Sequence, residues 1–215
     1  MDKRKSLDII IKCAKQFEHN LNNQNVLFVA LEKDGRCSFI ESVFKERNFL
    51  HLTGVDTPLS SREFYRSCID NTLSVQHLNY KNNFTELKLQ VLSDAMSIDK
   101  TAKMIGDYNE GGIDLYTHKL VGTIAVCVGM LKERNGFYVP NSVLKADTRN
   151  ISIPPVLKIA CVLKKHIRSQ KYETVVSIGK DIDLHNLKLP QEVVDKLSDT
   201  LKEKFGLPIT TPTLE

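Results

Sequence analysis

Apolar side chains at Leu7, Ile10, Ile11, Ala14, Phe17 and Leu21 recur every three to four positions. That period predicts a first helix over Ser6–Asn22 with Ser6 as its N-cap. Val26–Leu31 is an apolar run of strand formers, and Asp34-Gly35 is a turn signal that returns the chain through Cys37–Phe44 as a hairpin. Phe49–Val55 is expected to be a short extended segment closed by Gly54 and Pro58. Two helices follow. Ser60–Leu73 has Ser60 or Ser61 as cap and Glu63 in its first turn; Thr85–Met96 has Thr85 as cap and a stripe of Leu87, Val91, Leu92 and Met96. A short helix or turn near Asp99–Ile105 leads to Gly106-Asp107-Tyr108-Asn109 and a flexible Gly111-Gly112.

The texture then changes. Leu120–Leu131 is almost wholly apolar, which predicts one central strand buried on both faces. Asn135-Gly136 signals a type I′ turn with Phe137–Lys145 as the hairpin partner, and Pro140 within it demands an edge position or a bulge. Val156–Arg168 admits a helix opened by Pro154-Pro155, but turn-like Arg168–Lys171 and the plain strand Tyr172–Ile178 favour two more hairpin strands. Gln191–Phe205 closes the chain as an amphipathic helix stopped by Gly206 and Pro208. The order predicts an α+β fold: a helical N-terminal part with a small hairpin, packed on a four-stranded antiparallel meander sheet, with a C-terminal helix. Residues 1–206 are expected to form one domain, with 1–110 mainly helical, 115–180 a basic antiparallel sheet and 188–206 the closing helix. Residues 207–215 are expected to be a disordered tail.

Composition narrows the class. The chain has 215 residues, 41% hydrophobic and 26% charged, ordinary values for a globular protein. No apolar stretch is long enough to span a membrane, and Asp8 and Lys12 interrupt the only candidate leader. Five scattered cysteines (Cys13, Cys37, Cys68, Cys127, Cys161) match no zinc-ligand spacing. Together these point to a cytoplasmic protein with no cofactor and no metal. Charge is uneven. Lys132–Lys180 carries ten basic and three acidic residues, a local +7, so against a total of +4 the rest of the chain is near −3. A field concentrated in this way steers polyanions, although solvated lysines on strand faces would give the same count.

No Walker loop, dinucleotide fingerprint, H-E-x-x-H or G-x-S-x-G occurs. The basic half also lacks paired carboxylates, which disfavours a metal-dependent nuclease. RNA can be cleaved without metal when its 2′-hydroxyl attacks the adjacent phosphate, provided that proton-transfer groups and cations are at hand. His51 is the best candidate acid or base, with Thr53 two residues on. Lys119 lies in Tyr116-Thr117-His118-Lys119 at the start of the long apolar run, and Lys145 and Arg149 follow the second meander strand with a spacing that suits two phosphate contacts. Tyr138, Lys164, Lys165, Arg168 and Lys171 are candidate nucleic-acid contacts. Each also has a plain structural or surface reading.

Four segments occur in order: Asn48-Phe49-Leu50-His51-Leu52-Thr53-Gly54-Val55, Met104-Ile105-Gly106-Asp107-Tyr108-Asn109, Leu115-Tyr116-Thr117-His118-Lys119-Leu120 and Tyr138-Val139-Pro140-Asn141-Ser142-Val143-Leu144-Lys145. In these the chain resembles the phage-associated nuclease-like family grouped with barnase, EndoU, colicin ribonucleases and RelE, within it the fourth subfamily. The resemblance runs from the first helix to Ile178. It implies a helical part on a four-stranded antiparallel sheet, metal-independent RNA cleavage, and a source in phages or prophages of Gram-positive bacteria. Site roles transfer to His51, Thr53, Lys119, Lys145 and Arg149. The competing expectations are a non-catalytic nucleic-acid binder on the same basic sheet, and a phage factor that engages a host or phage protein.

Overall fold

The computed structural model describes residues 1–80, 84–109 and 115–209. The chain opens with α1 (Lys3–Asn20), then β1 (Gln24–Leu31) and β2 (Cys37–Phe44). Next come α2 (Phe49–Thr53), β3 (Val55–Asp56), α3 (Ser61–Ile69), β4 (Asn79–Tyr80), α4 (Phe84–Ala95) and α5 (Ile98–Thr101). The second half contributes β5 (Met104–Tyr108), β6 (Lys119–Gly122), β7 (Cys127–Lys132), β8 (Tyr138–Leu144), β9 (Ser152–His166), β10 (Thr174–Ile178), α6 (Gln191–Val194) and α7 (Asp199–Lys204). No helix among the described residues is long and apolar enough to cross a membrane.

Among the described residues, eight strands form one sheet in the order β1-β2-β8-β7-β6-β5-β9-β10, and β9 also pairs with β1. The first seven therefore close into a barrel. All its neighbours are antiparallel except β2 and β8, which meet in parallel at Ser42 and Tyr138. β9 makes closure possible. Over its 15 residues the first half pairs with β5 and the second with β1, leaving β10 to extend along the edge beyond β5. Bulges at Val29/Ala30, Ile105/Asp107 and Gly129/Met130 supply the bending that closure requires.

Period-two alternation sorts β1 between two cores. Val26, Phe28 and Ala30 join the principal cluster with Ile10, Phe17, Phe64 and Leu92 of the helices. Leu27 and Val29 face the other way, onto Leu163, Tyr172, Leu201 and Phe205. Both faces are buried, which is why this strand reads as an unbroken apolar run. Phe17 and Phe49 pack at 5.5 Å between ring centroids, and each fully buried side chain of this size contributes about 1.5–3 kcal/mol. Two ion pairs tie elements together. Lys164 Nζ meets Asp99 at 2.7 Å, beneath α5, with the carboxylate fully buried. Glu41 accepts from the Tyr172 hydroxyl (2.6 Å) and from Lys196 Nζ (2.8 Å), fastening the C-terminal segment to β2.

The expected four-stranded antiparallel meander is therefore wrong: the sheet is a closed seven-stranded mixed barrel with one further strand. Three errors produced the miscount. Leu120–Leu131 is a hairpin, β6 and β7, and not one strand. Its turn is made by Thr123, whose hydroxyl accepts from the N–H groups of Ala125 and Val126. Gly122 supports it, since a Cβ there would lie 2.4 Å from the Val126 carbonyl. Met104–Tyr108, expected as the end of a short helix or turn and the segment it leads to, is β5. The N-terminal hairpin was also expected to be separate, yet β1 and β2 are barrel staves.

Smaller corrections concern ends and turns. α1 begins at Lys3, and the Ser6 hydroxyl bonds the Asp2 carbonyl from inside the first turn. Ser60 does cap α3 in a capping box with Glu63. Thr85 lies within α4, its hydroxyl bonded to the Gly54 carbonyl. The closing helix is two short ones, because Ser198 interrupts it and caps α7. At Asn135-Gly136 only the glycine has positive φ (+88°), as has Gly35 (+82°) in the first hairpin. Each turn is thus a type I turn followed by a left-handed glycine, and not type I′. The bulge beside Pro140 and the strand pair β9–β10 are as expected. Gly111-Gly112 and the tail from 210 onward lie outside the described residues.

Candidate active site

His51 sits on a helical turn, not on a strand. The Asn48 side chain accepts from the Lys45 N–H at 2.9 Å and starts a 3₁₀ turn at Glu46–Asn48, which runs into α2. Phe49 and Leu52, three apart, are buried, while His51 is exposed between them. Thr53 donates its hydroxyl to the Leu50 carbonyl (2.7 Å) and accepts from the Val55 N–H (3.2 Å). Gly54 ends the helix at φ +68°, against the stem of Lys88.

Opposite α2 runs β8. The bulge at its pairing with β7 re-aims the chain near Asn141, whose amide donates to the Tyr116 carbonyl and accepts from the Thr117 hydroxyl. Beyond it Lys145 extends past the strand end and donates to the Gln90 side chain at 2.8 Å. Between α2, α4 and β8 lies a cleft of about 620 Å³. Its ionisable lining is His51, Asp56, Lys88 and Lys145, so cations outnumber the carboxylate. Phe84 and Leu87 supply an apolar rim, both substantially exposed. This arrangement can hold an anion against two ammonium groups, with a histidine and a carboxylate in place to move protons.

The structure brings His51 and Lys145 together in this cleft. It does not bring the other three catalytic candidates there. Thr53 is fully buried, with its hydroxyl engaged in shaping the turn beneath His51. Lys119 pairs with Asp107 at 2.6 Å on neighbouring strands of the barrel. Arg149 is clamped by Asp147, its Nη2 at 2.6 Å, and this guanidinium holds the Asp147 carboxyl below its usual range.

The five binding candidates are dispersed as well. Lys164 and Lys165 point to opposite faces of β9: Lys164 to Asp99, Lys165 to the Gln170 carbonyl and over the Tyr172 ring at 4.9 Å. Burial lowers the pKa of Lys165. Lys171 Nζ bonds the Asp195 carbonyl, and Arg168 is exposed in the turn after β9. Tyr138 is half-buried against the principal core, with burial pushing its hydroxyl pKa up.

Asp56, Lys88, Phe84 and Ser142 were not foreseen as site residues. Only Gly54 offered a signal: read as a helix C′ glycine it would have made Phe49–Thr53 helical and placed Asp56 just past the His51 turn. Among the described residues, no three His, Cys, Asp or Glu side chains gather as a metal-ligand group.

Fold and site together define a mixed β-barrel protein, packed with helices, whose cation-lined cleft carries a histidine and an aspartate. The family model described as phage-Barnase-EndoU-ColicinE5/D-RelE like nuclease4 matches residues 9–180, and the chain belongs to this nuclease-like family. No curated protein and no solved structure matches it.

Proposed function

We propose that the α2–β8 cleft is the active site of a metal-independent ribonuclease. The observation that carries this reading is the meeting of His51 and Lys145 in one cleft of a nuclease-family chain. In the reaction the 2′-oxygen bonds to phosphorus and the bond to the 5′-oxygen breaks, leaving a 2′,3′-cyclic phosphate. Two proton transfers are needed. The cleft supplies one group for each: Asp56 takes the 2′-hydroxyl proton as base and His51 protonates the leaving 5′-oxygen as acid. Lys145 and Lys88 stabilise the charge that grows on the phosphorane oxygens.

Incubation with total RNA and tRNA in EDTA tests this. The wild type is expected to release fragments with cyclic-phosphate ends, and His51→Ala to slow cleavage by roughly 10²–10⁴-fold. Absence of cleavage by the wild type would sink the reading. Salt-sensitive RNA affinity that persists in His51→Ala would then favour a non-catalytic binder.

A further inference from the structure

Ser142 lies on β8 at 1% exposure, and its hydroxyl has no hydrogen-bond partner among the described residues. Two other buried polar atoms share this condition, Asn22 Oδ1 and Asp99 Oδ1, but each belongs to a side chain bonded through its second polar atom. Ser142 has a single polar atom. Folded chains seldom leave a buried hydroxyl unpaired, because it forfeits its hydration for nothing.

Nearby polar groups do not satisfy it. Asn141 is engaged with Tyr116 and Thr117, and the Thr117 hydroxyl is directed to the Met130 carbonyl and to Asn141. The cross-strand neighbour is Gly129, which offers no side chain. Ser142 nevertheless lines the cleft, in company with Leu50, Leu115 and Leu144. An unpaired hydroxyl among apolar side chains matches a flat ring with hydrogen-bonding groups at its edge. The cleft volume falls within the roughly 300–1,000 Å³ typical of small-molecule sites.

Resting on the reading of this cleft as an active site, we propose that it seats one unpaired nucleobase of single-stranded RNA. The base packs against Leu50, Leu115 and Leu144, and its edge bonds the Ser142 hydroxyl. The adjoining phosphate lies toward Lys145 and His51. A base within a duplex has both faces stacked and its edge paired, so the substrate is a loop, bulge or single strand.

The test uses the full chain and titrates the four nucleoside 3′-monophosphates and inorganic phosphate by calorimetry. At least one nucleotide is expected to bind more tightly than phosphate. Ser142→Ala should weaken that nucleotide about tenfold, the worth of one hydrogen bond, and leave phosphate unchanged. Ser142→Val, which fills the recess, should erase preference among the bases; thermal melting of both variants verifies that they fold. Equal affinities of wild type and Ser142→Ala for all four nucleotides would overturn the base seat. Full cleavage by His51→Ala would overturn the active-site reading instead, so the two failures are distinguishable.

Discussion

At the α2–β8 cleft Lys145 is exposed and bonded to a neutral amide, whereas along β9 and its following turn Lys164, Lys165 and Lys171 are bonded to a buried carboxylate or to backbone carbonyls. All four lysines fall within the same basic segment of sequence. Lys145 keeps its ammonium group at the exposed end of β8; Lys164 and Lys171 use theirs to join α1, α5 and the C-terminal segment to the barrel. Local charge in a sequence thus counts cations without showing which are already engaged. Strand alternation sends the adjacent Lys164 and Lys165 to opposite faces of β9, and each is engaged there.

The strongest way to break this contrast is Lys164→Met. It leaves the Asp99 carboxylate buried without its partner, and stability should fall by about 3–5 kcal/mol in denaturant titration. Adding Asp99→Leu should recover much of that loss, and an unchanged midpoint in the single variant would refute a structural role. Lys145→Ala should do the reverse: kcat/KM for RNA falls roughly 10²-fold while the denaturation midpoint barely moves. The last effect concerns pH and is absent near neutrality. Burial pushes the thiols of Cys13, Cys68, Cys127 and Cys161 up to about 12. Their folded-state pKa values lie above the unfolded value near 8.5, so native protein holds protons that the unfolded chain releases. This contribution is complete below about pH 8.5 and is lost as pH rises toward 12. Melting temperature should therefore decline along that alkaline limb, and thiol reagents should label the cysteines only as the chain unfolds.

Much of the local structure was legible because it rests on short-range chemistry. The Ser60–Glu63 capping box, the two glycine hairpins and the bulge beside Pro140 each need only neighbouring residues. Barrel closure was not legible, because it depends on one parallel contact between Ser42 and Tyr138 and on a strand that changes partner midway along its length. The site was half legible. His51 and Lys145 are recognisable by residue type, but Asp56 and Lys88 acquire meaning only when α2 and α4 pack across β8. Thr53 shows the opposite error: a hydroxyl near a candidate histidine is placed by the turn it stabilises, not by the substrate.

The family match ends at residue 180, yet Leu187, Val193, Leu197, Leu201 and Phe205 cover the outward face of β1 and β9. Glu41 and Tyr172, both inside the match, look to Lys196 beyond it. An expression fragment cut at the family boundary would therefore carry a bare apolar side and a carboxylate deprived of its cation. Sequence kinship and the unit that folds have different borders here, and a fragment meant to isolate the nuclease should run through Leu207.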